Sequence, residues 1–293
     1  MVDWKGSFVA LVTPFRNGTL DVPALERLLD FQAANGTAGV VFAATTGEGP
    51  TVWPDEYKKI VEITLKKAQG KMKVLAYTGT NDTLNSMAKT KEMEKVGVDG
   101  ALVVTPYYNK PTQEGLYQHF KSVAGSTKLP LMLYNVPSRT GVSLEPATIA
   151  RLSDINNILA VKEASGNLDI ASQIMALCGE RIAVFSGDDS LTLPMLAVGA
   201  RGVVSVVANI APKDTAKMVK YFLEGKVEEA RRIHLKQFPL VKALFAETSP
   251  GPVKAALNLM GLCHAEMRMP LVEVSDATRK LVKAEMKKYG LIV

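Results

Sequence analysis

Gly39-Val40-Val41-Phe42-Ala43, then Val61, Leu65 and Ala68, then Val74-Leu75-Ala76-Tyr77: this stretch reads as strand, helix, strand. The two strand runs are near-continuously apolar instead of alternating, as expected for parallel strands covered on both faces. Val61, Leu65 and Ala68 share one helical face. Pro54 sits in the first turn of that helix, where its missing N–H costs nothing, and Gly70 stands just past the end, where a stop belongs.

The same unit recurs in both directions. Strand runs are expected at Phe8-Val9-Ala10-Leu11-Val12, Ala101-Leu102-Val103-Val104, Leu131-Met132-Leu133-Tyr134, Leu159-Ala160-Val161-Lys162, Ala183-Val184-Phe185-Ser186 and Val203-Val204-Ser205-Val206-Val207. Helical faces between them include Val22, Leu25, Leu28 and Leu29, and later Ile170, Ile174 and Leu177; Pro23 and Pro212 start helices, and Gly36 and Gly97 end them. Strict alternation of strand and helix means a parallel sheet. Eight units with no dinucleotide fingerprint after the first strand favour a closed TIM (β/α)8 barrel over an open sheet. The barrel domain is expected over residues 1–223, with residues 224–293 forming a C-terminal helical appendix packed on it. Leu235, Phe238, Val241, Leu244 and Phe245 give the first stripe of that appendix. Val253, Leu257 and Met260 give the second, and Leu281, Val282 and Met286 the last.

Composition narrows the class. Hydrophobic residues make up 47% and charged residues 22%, which suits a globule with a large core and excludes a disordered chain. The net charge is +6, from 35 basic and 29 acidic residues. Its densest basic pairs, Lys58-Lys59, Lys66-Lys67, Arg231-Arg232 and Lys287-Lys288, lie in helical patterns with acidic neighbours, so no nucleic-acid surface is expected. A mild positive charge does suit small anionic substrates. Cys178 and Cys263, both in apolar contexts read as helical, are expected to be buried thiols, not a disulfide. Met1-Val2-Asp3-Trp4-Lys5 carries no apolar leader, and no run is long enough to span a bilayer, so a cytoplasmic protein without membrane contact is expected.

Barrel chemistry sits at the C-terminal ends of the strands. There the chain places Thr13-Pro14, Thr45-Thr46-Gly47-Glu48, Thr78-Gly79-Thr80-Asn81, Thr105-Pro106-Tyr107-Tyr108-Asn109, Tyr134-Asn135-Val136-Pro137-Ser138-Arg139-Thr140-Gly141, Lys162-Glu163-Ala164-Ser165-Gly166 and Ser186-Gly187-Asp188-Asp189. Lys162 is the sharpest signal, because lysine is rarely buried without a partner or a role. A desolvated lysine keeps a fraction of free amine, which attacks ketones to form imines. The plain alternative is a strand-tip lysine paired with Glu163, and strand position alone leaves both open. Tyr134 ends the neighbouring strand, where its phenol can pass protons or simply pack. The Thr45-Thr46-Gly47 turn offers hydroxyls and backbone N–H groups to a carboxylate, though the composition is common. His119, His234 and His264 have no metal spacing, and no phosphate loop or Gly-x-Ser-x-Gly elbow occurs. Asp188-Asp189 is read as a helix cap in preference to a magnesium site.

These motifs, in order from Ala10-Leu11-Val12-Thr13-Pro14-Phe15 through Ser186-Gly187-Asp188-Asp189, resemble the dihydrodipicolinate synthase family of N-acetylneuraminate lyase-like pyruvate aldolases. The resemblance runs from about Gly6 to the C-terminal helices. It implies condensation of pyruvate with L-aspartate 4-semialdehyde on the route to lysine and diaminopimelate. Lys162 would carry a covalent imine, with no separate cofactor and no metal. Tyr134, Thr45 and Tyr108 would relay protons, Tyr108 from a neighbouring subunit of a dimer or of a tetramer built from dimers. Thr46 would hold the pyruvate carboxylate and Arg139 that of the semialdehyde, while Gly187 and Val204 would line the site through their backbones. Sibling aldolases of sialic acid or of 2-keto-3-deoxy sugar acids, and a silent acid-binding barrel, are the competing readings. The Ser138-Arg139-Thr140-Gly141 sequence favours the synthase.

Three departures stand out. Ala44 replaces a common glycine, which is tolerable if its φ is negative. Ser249-Pro250-Gly251-Pro252 replaces a common Asn-Pro-x-Pro, away from the chemistry. A lysine feedback site, carried over from the resemblance, would use Gly49, Pro50, Pro54, Tyr57, Asn81, Asn85 and Tyr107. Lysine-sensitive relatives often have histidine or tryptophan at Pro54 and an acid at Asn85, so weak or absent inhibition by L-lysine is expected.

Overall fold

The computed structural model describes residues 4–293; Met1-Val2-Asp3, part of the N-terminal stretch expected to carry no apolar leader, lie outside the described residues. Eight parallel strands are present: β1 Gly6–Ala10, β2 Gly39–Phe42, β3 Lys73–Tyr77, β4 Gly100–Val104, β5 Leu131–Asn135, β6 Ile158–Glu163, β7 Ala183–Ser186 and β8 Gly202–Ser205. Hydrogen bonding runs round them in the order β1-β8-β7-β6-β5-β4-β3-β2, a closed barrel as the alternating pattern predicts.

The chain divides into two compact units. One holds Leu75–Val204 with the start of the chain; the other holds Gly6–Val74 and Ser205–Val293. In the first, β4, β5 and β6 are almost wholly buried, which is why their sequences are apolar throughout. The β5–β6 register pairs Tyr134 with Lys162 and Asn135 with Glu163. Successive side chains alternate across a strand, so the first pair shares one face and the second pair the other.

In the second unit, β1 pairs with β2, matching Phe8 to Gly39. A side chain at position 39 would meet the Phe8 ring at 2.6 Å, so glycine is required there by close approach. The C-terminal residues supply the helices Val227–Leu244, Gly251–Leu259 and Asp276–Tyr289.

The structure corrects several sequence expectations. The first strand starts at Gly6 and ends at Ala10, and a short antiparallel ribbon, Phe15–Arg16 with Thr19–Leu20, follows it unannounced. The eighth strand stops at Ser205, short of Val207. Beyond it the chain turns, and Asn209 bonds the backbone at the end of β1, donating to Ala10 O at 2.9 Å and accepting from Val12 N at 3.2 Å. A side chain thus takes backbone groups that further strand pairing would have used. Leu235, Phe238 and Phe245 are exposed; Ala230, Leu240, Val241 and Leu244 form the buried face. Leu177 and Leu281 are exposed as well, while Val253, Leu257, Val282 and Met286 are buried as expected. Cys178 ends a helix, but Cys263 lies in the turn after one; both are free and buried.

Candidate active site

Lys162 is 5% exposed at the end of β6, and Tyr134 is 4% exposed at the end of β5. The Lys162 Nζ stands 4.3 Å from the centroid of the Tyr134 ring, so the amine rests on an aromatic face. Tyr134 is paired in register with Val104 on its other side, and Lys162 with Phe185. The amine therefore sits in an apolar frame at the strand ends, where barrel chemistry is done.

Glu163 does not serve as the partner of this lysine through its carboxylate. One oxygen accepts from Asn135 Nδ2 at 2.7 Å and the other from the Ser165 backbone N–H at 2.6 Å. Burial pushes the Glu163 carboxyl above the usual carboxylate range, and the Ser165 and Asn135 hydrogen bonds offset part of that rise. Asn135 in turn accepts from Leu144 N at 2.9 Å, which ties down the loop that follows β5. Gln113 holds the same loop farther along, donating to Ser143 O at 2.8 Å and accepting from Glu145 N at 3.1 Å. Arg139 rides on this loop, exposed, in the single helical turn Pro137–Thr140. Sequence reading missed Asn135 as an organiser of the site; its position beside Tyr134 on a buried strand end was the available signal.

Gly187 has a clear physical reason. A Cβ there would lie 2.9 Å from Lys162 Cε and 2.6 Å from Ala164 Cβ, so any side chain would displace the lysine. Val204 is buried on β8. Asp188 caps the turn after β7 by accepting from Ser190 N at 2.9 Å, in line with the capping reading. Among the described residues no group of three or more His, Cys, Asp or Glu has a metal-binding arrangement.

Tyr108 is 89% exposed with φ 73°, and Lys110, two residues on, has φ 45°. Two non-glycine residues in the left-handed region mark a strained loop. Asn109 secures it by donating to Asn81 O at 2.8 Å.

Thr45 and Thr46 belong to the second unit, after β2. Glu48 N returns to Thr45 O at 3.1 Å and Gly49 N to Ala44 O at 3.1 Å, so the turn closes tightly on itself. Thr13 Oγ donates to Gly47 O at 2.6 Å. Ala44 is not among the residues with positive φ, so its methyl is accommodated; the strain falls instead on Ala43, φ 50°, and Glu48, φ 53°. Of the residues carried over for lysine feedback, Gly49, Pro50, Pro54 and Tyr57 lie in this unit, Tyr57 against Phe42 at 5.6 Å between centroids. Asn81, Asn85 and Tyr107 lie in the other unit, where the Asn109 bond brings the Asn81 and Tyr107 loops together.

Comparison with known proteins gives the family. The dihydrodipicolinate synthetase family matches residues 3–289. A 4-hydroxy-tetrahydrodipicolinate synthase of Pelobacter propionicus is 50% identical over 289 residues, covering 99% of this chain and 100% of the relative. One of Geotalea uraniireducens is 51% identical over the same length, with the same coverage. The crystal structure of the dihydrodipicolinate synthase of Thermotoga maritima superposes with a TM-score of 0.97 at 45% identity, covering 99% of each chain. The chain belongs to the dihydrodipicolinate synthetase family.

Proposed function

We propose that this protein is a lyase of the class I aldolase type that condenses pyruvate with L-aspartate 4-semialdehyde, the reaction of a 4-hydroxy-tetrahydrodipicolinate synthase in lysine and diaminopimelate biosynthesis. The observation that carries the proposal is the buried Lys162 amine lying on the Tyr134 ring at the strand ends. Family membership supplies the substrate class.

The chemistry follows from these groups. The Lys162 amine adds to the pyruvate ketone, and loss of water gives an imine. Once protonated, the imine draws electrons from the methyl carbon, a proton leaves, and the resulting enamine attacks the aldehyde carbon of the semialdehyde. Tyr134, Thr45 and Tyr108 carry protons in and out of these steps. The imine is itself the electron sink, so the mechanism uses neither metal nor separate cofactor. Thr46 and its backbone hold the pyruvate carboxylate. Arg139 binds the semialdehyde carboxylate, for which a planar guanidinium is suited, and the backbones of Gly187 and Val204 line the site. Tyr108, exposed and strained within one chain, completes the relay of a neighbouring subunit in a dimer or a tetramer of dimers. The compartment in this reading is the cytoplasm. No helix of the described residues is long and apolar enough to cross a membrane.

The test offers the protein pyruvate with the semialdehyde, N-acetylmannosamine or glyceraldehyde, coupling the first to the downstream reductase and NADPH. Turnover with the semialdehyde alone supports the synthase. Turnover only with a sugar acceptor moves the protein to a sibling aldolase. Borohydride with pyruvate should attach one reduced pyruvate, and peptide mapping should find it on Lys162; a label on another lysine refutes the mechanism.

A further inference from the structure

The helix Gly251–Leu259 is apolar except for Lys254 and Asn258, and Lys254 is fully buried. Its Nζ donates to Glu48 Oε1 in a short contact and to Glu266 O at 2.7 Å, and it lies 4.5 Å above the Phe15 ring. The other Glu48 oxygen accepts from the Arg268 backbone N–H at 3.0 Å. Glu48, only 3% exposed, is the last residue of the Thr45-Thr46-Gly47-Glu48 turn. Both of its carboxylate oxygens are therefore held by residues from the C-terminal part of the chain.

That turn needs holding. Ala43 and Glu48 bracket it with φ of 50° and 53°, conformations that non-glycine residues keep only when their surroundings impose them. Inside it, a Cβ on Gly47 would lie 2.8 Å from Ala43 N, and one on Gly49 would lie 2.0 Å from Ala43 O. The Glu48 N–Thr45 O and Gly49 N–Ala44 O bonds close the backbone and Thr13 Oγ holds Gly47 O, but none of these fixes the Glu48 side chain. A buried ion pair adds little net stability compared with apolar side chains of the same volume. What it does supply is a fixed direction for the Glu48 side chain, and with it the left-handed backbone at the end of the turn.

We propose that Lys254 is a positioning residue for pyruvate binding: through Glu48 it holds the Thr45-Thr46-Gly47 turn in the shape that receives the substrate carboxylate. The C-terminal helical region thereby takes part in substrate recognition without touching the substrate. The inference rests on the reading of Thr46 as a holder of that carboxylate.

The experiment compares the full-length parent with Lys254→Met, with the double variant Glu48→Gln/Lys254→Met, which leaves no unpaired buried charge, and with Thr46→Ala. Melting temperature, pyruvate KM and turnover at saturating pyruvate are read for each. The double variant should melt near the parent yet show a pyruvate KM raised by about tenfold with kcat within about threefold, the signature of lost uniform binding. Should Lys254→Met fail to fold, the double variant and Glu48→Gln alone carry the test. A double variant with parental pyruvate KM overturns the inference, whatever its melting temperature, provided Thr46→Ala raises that KM. If Thr46→Ala leaves the KM unchanged, it is the underlying reading of the turn that fails.

Discussion

Replacing Tyr134 by phenylalanine separates the chemistry of the site from its packing. The ring is buried at 4% exposure and carries the Lys162 amine at 4.3 Å from its centroid. Phenylalanine keeps the buried ring and the aromatic face beneath the amine, so only the hydroxyl is lost. A hydroxyl hydrogen bond contributes about 0.5–1.5 kcal/mol net to stability. For a chain of this size that lowers the melting temperature by roughly 1–6 °C. Proton transfer by a positioned side chain contributes about 10²–10⁴-fold in rate, or about 2.7–5.4 kcal/mol of barrier. The catalytic loss should therefore exceed the stability loss several-fold. The coupled assay at saturating substrates measures the first and thermal unfolding the second. Single-turnover borohydride trapping should also show slower imine formation with pyruvate. Turnover within about threefold of the parent, in a folded variant, would remove Tyr134 from the proton relay.

Three other outcomes are expected. Arg139→Lys should lower kcat/KM for the semialdehyde by roughly tenfold or more, because an ammonium cannot make the bidentate contact; pyruvate trapping on Lys162 should be unchanged, and equal loss in both would show a general defect. Burial pulls His119 down to about 4 from 6.5, with Nδ1 bonded to Thr83 at 2.9 Å and Nε2 buried without a partner. Its contribution is then full above pH 6.5 and lost as pH falls toward 4, about 3 kcal/mol in all; denaturant unfolding of His119→Gln should be flatter across that window, and identical slopes would refute the assignment. L-lysine should inhibit weakly or not at all, since Asn85 offers a cationic effector no charge partner; inhibition at micromolar lysine in the coupled assay would overturn this.

The barrel was legible because strand runs such as Ala101-Leu102-Val103-Val104 must be apolar throughout when both faces are covered, whatever the details of packing. Lys162 was legible for the complementary reason: a charge closing such a run demands an explanation. Local pattern failed where a distant residue decided the outcome. Val206 and Val207 look like strand, yet Asn209 bonds the end of β1 and turns the chain away. Of the stripe Leu235, Phe238, Val241, Leu244 and Phe245, only Val241 and Leu244 are buried, and the buried face of their helix runs on through Ala230 and Leu240 instead of the other three. Apolar spacing gives a helix a face but does not say which face meets a neighbour.

By itself, then, the sequence determined the strand–helix alternation, the closed sheet and the lysine and tyrosine at neighbouring strand ends, all of which follow from short-range pattern and chain order. Two things were decided only by the tertiary structure. One is that the Glu163 carboxylate turns to Asn135 and Ser165, because residues adjacent on a strand face opposite ways and the β5–β6 register sets Asn135 beside it. The other is that Lys254, some two hundred residues along the chain and next to a segment read as remote from the chemistry, meets Glu48 in the Thr45–Glu48 turn. A buried charge needs a partner of opposite sign, but sequence distance cannot name it; only the packing that removes both from water can.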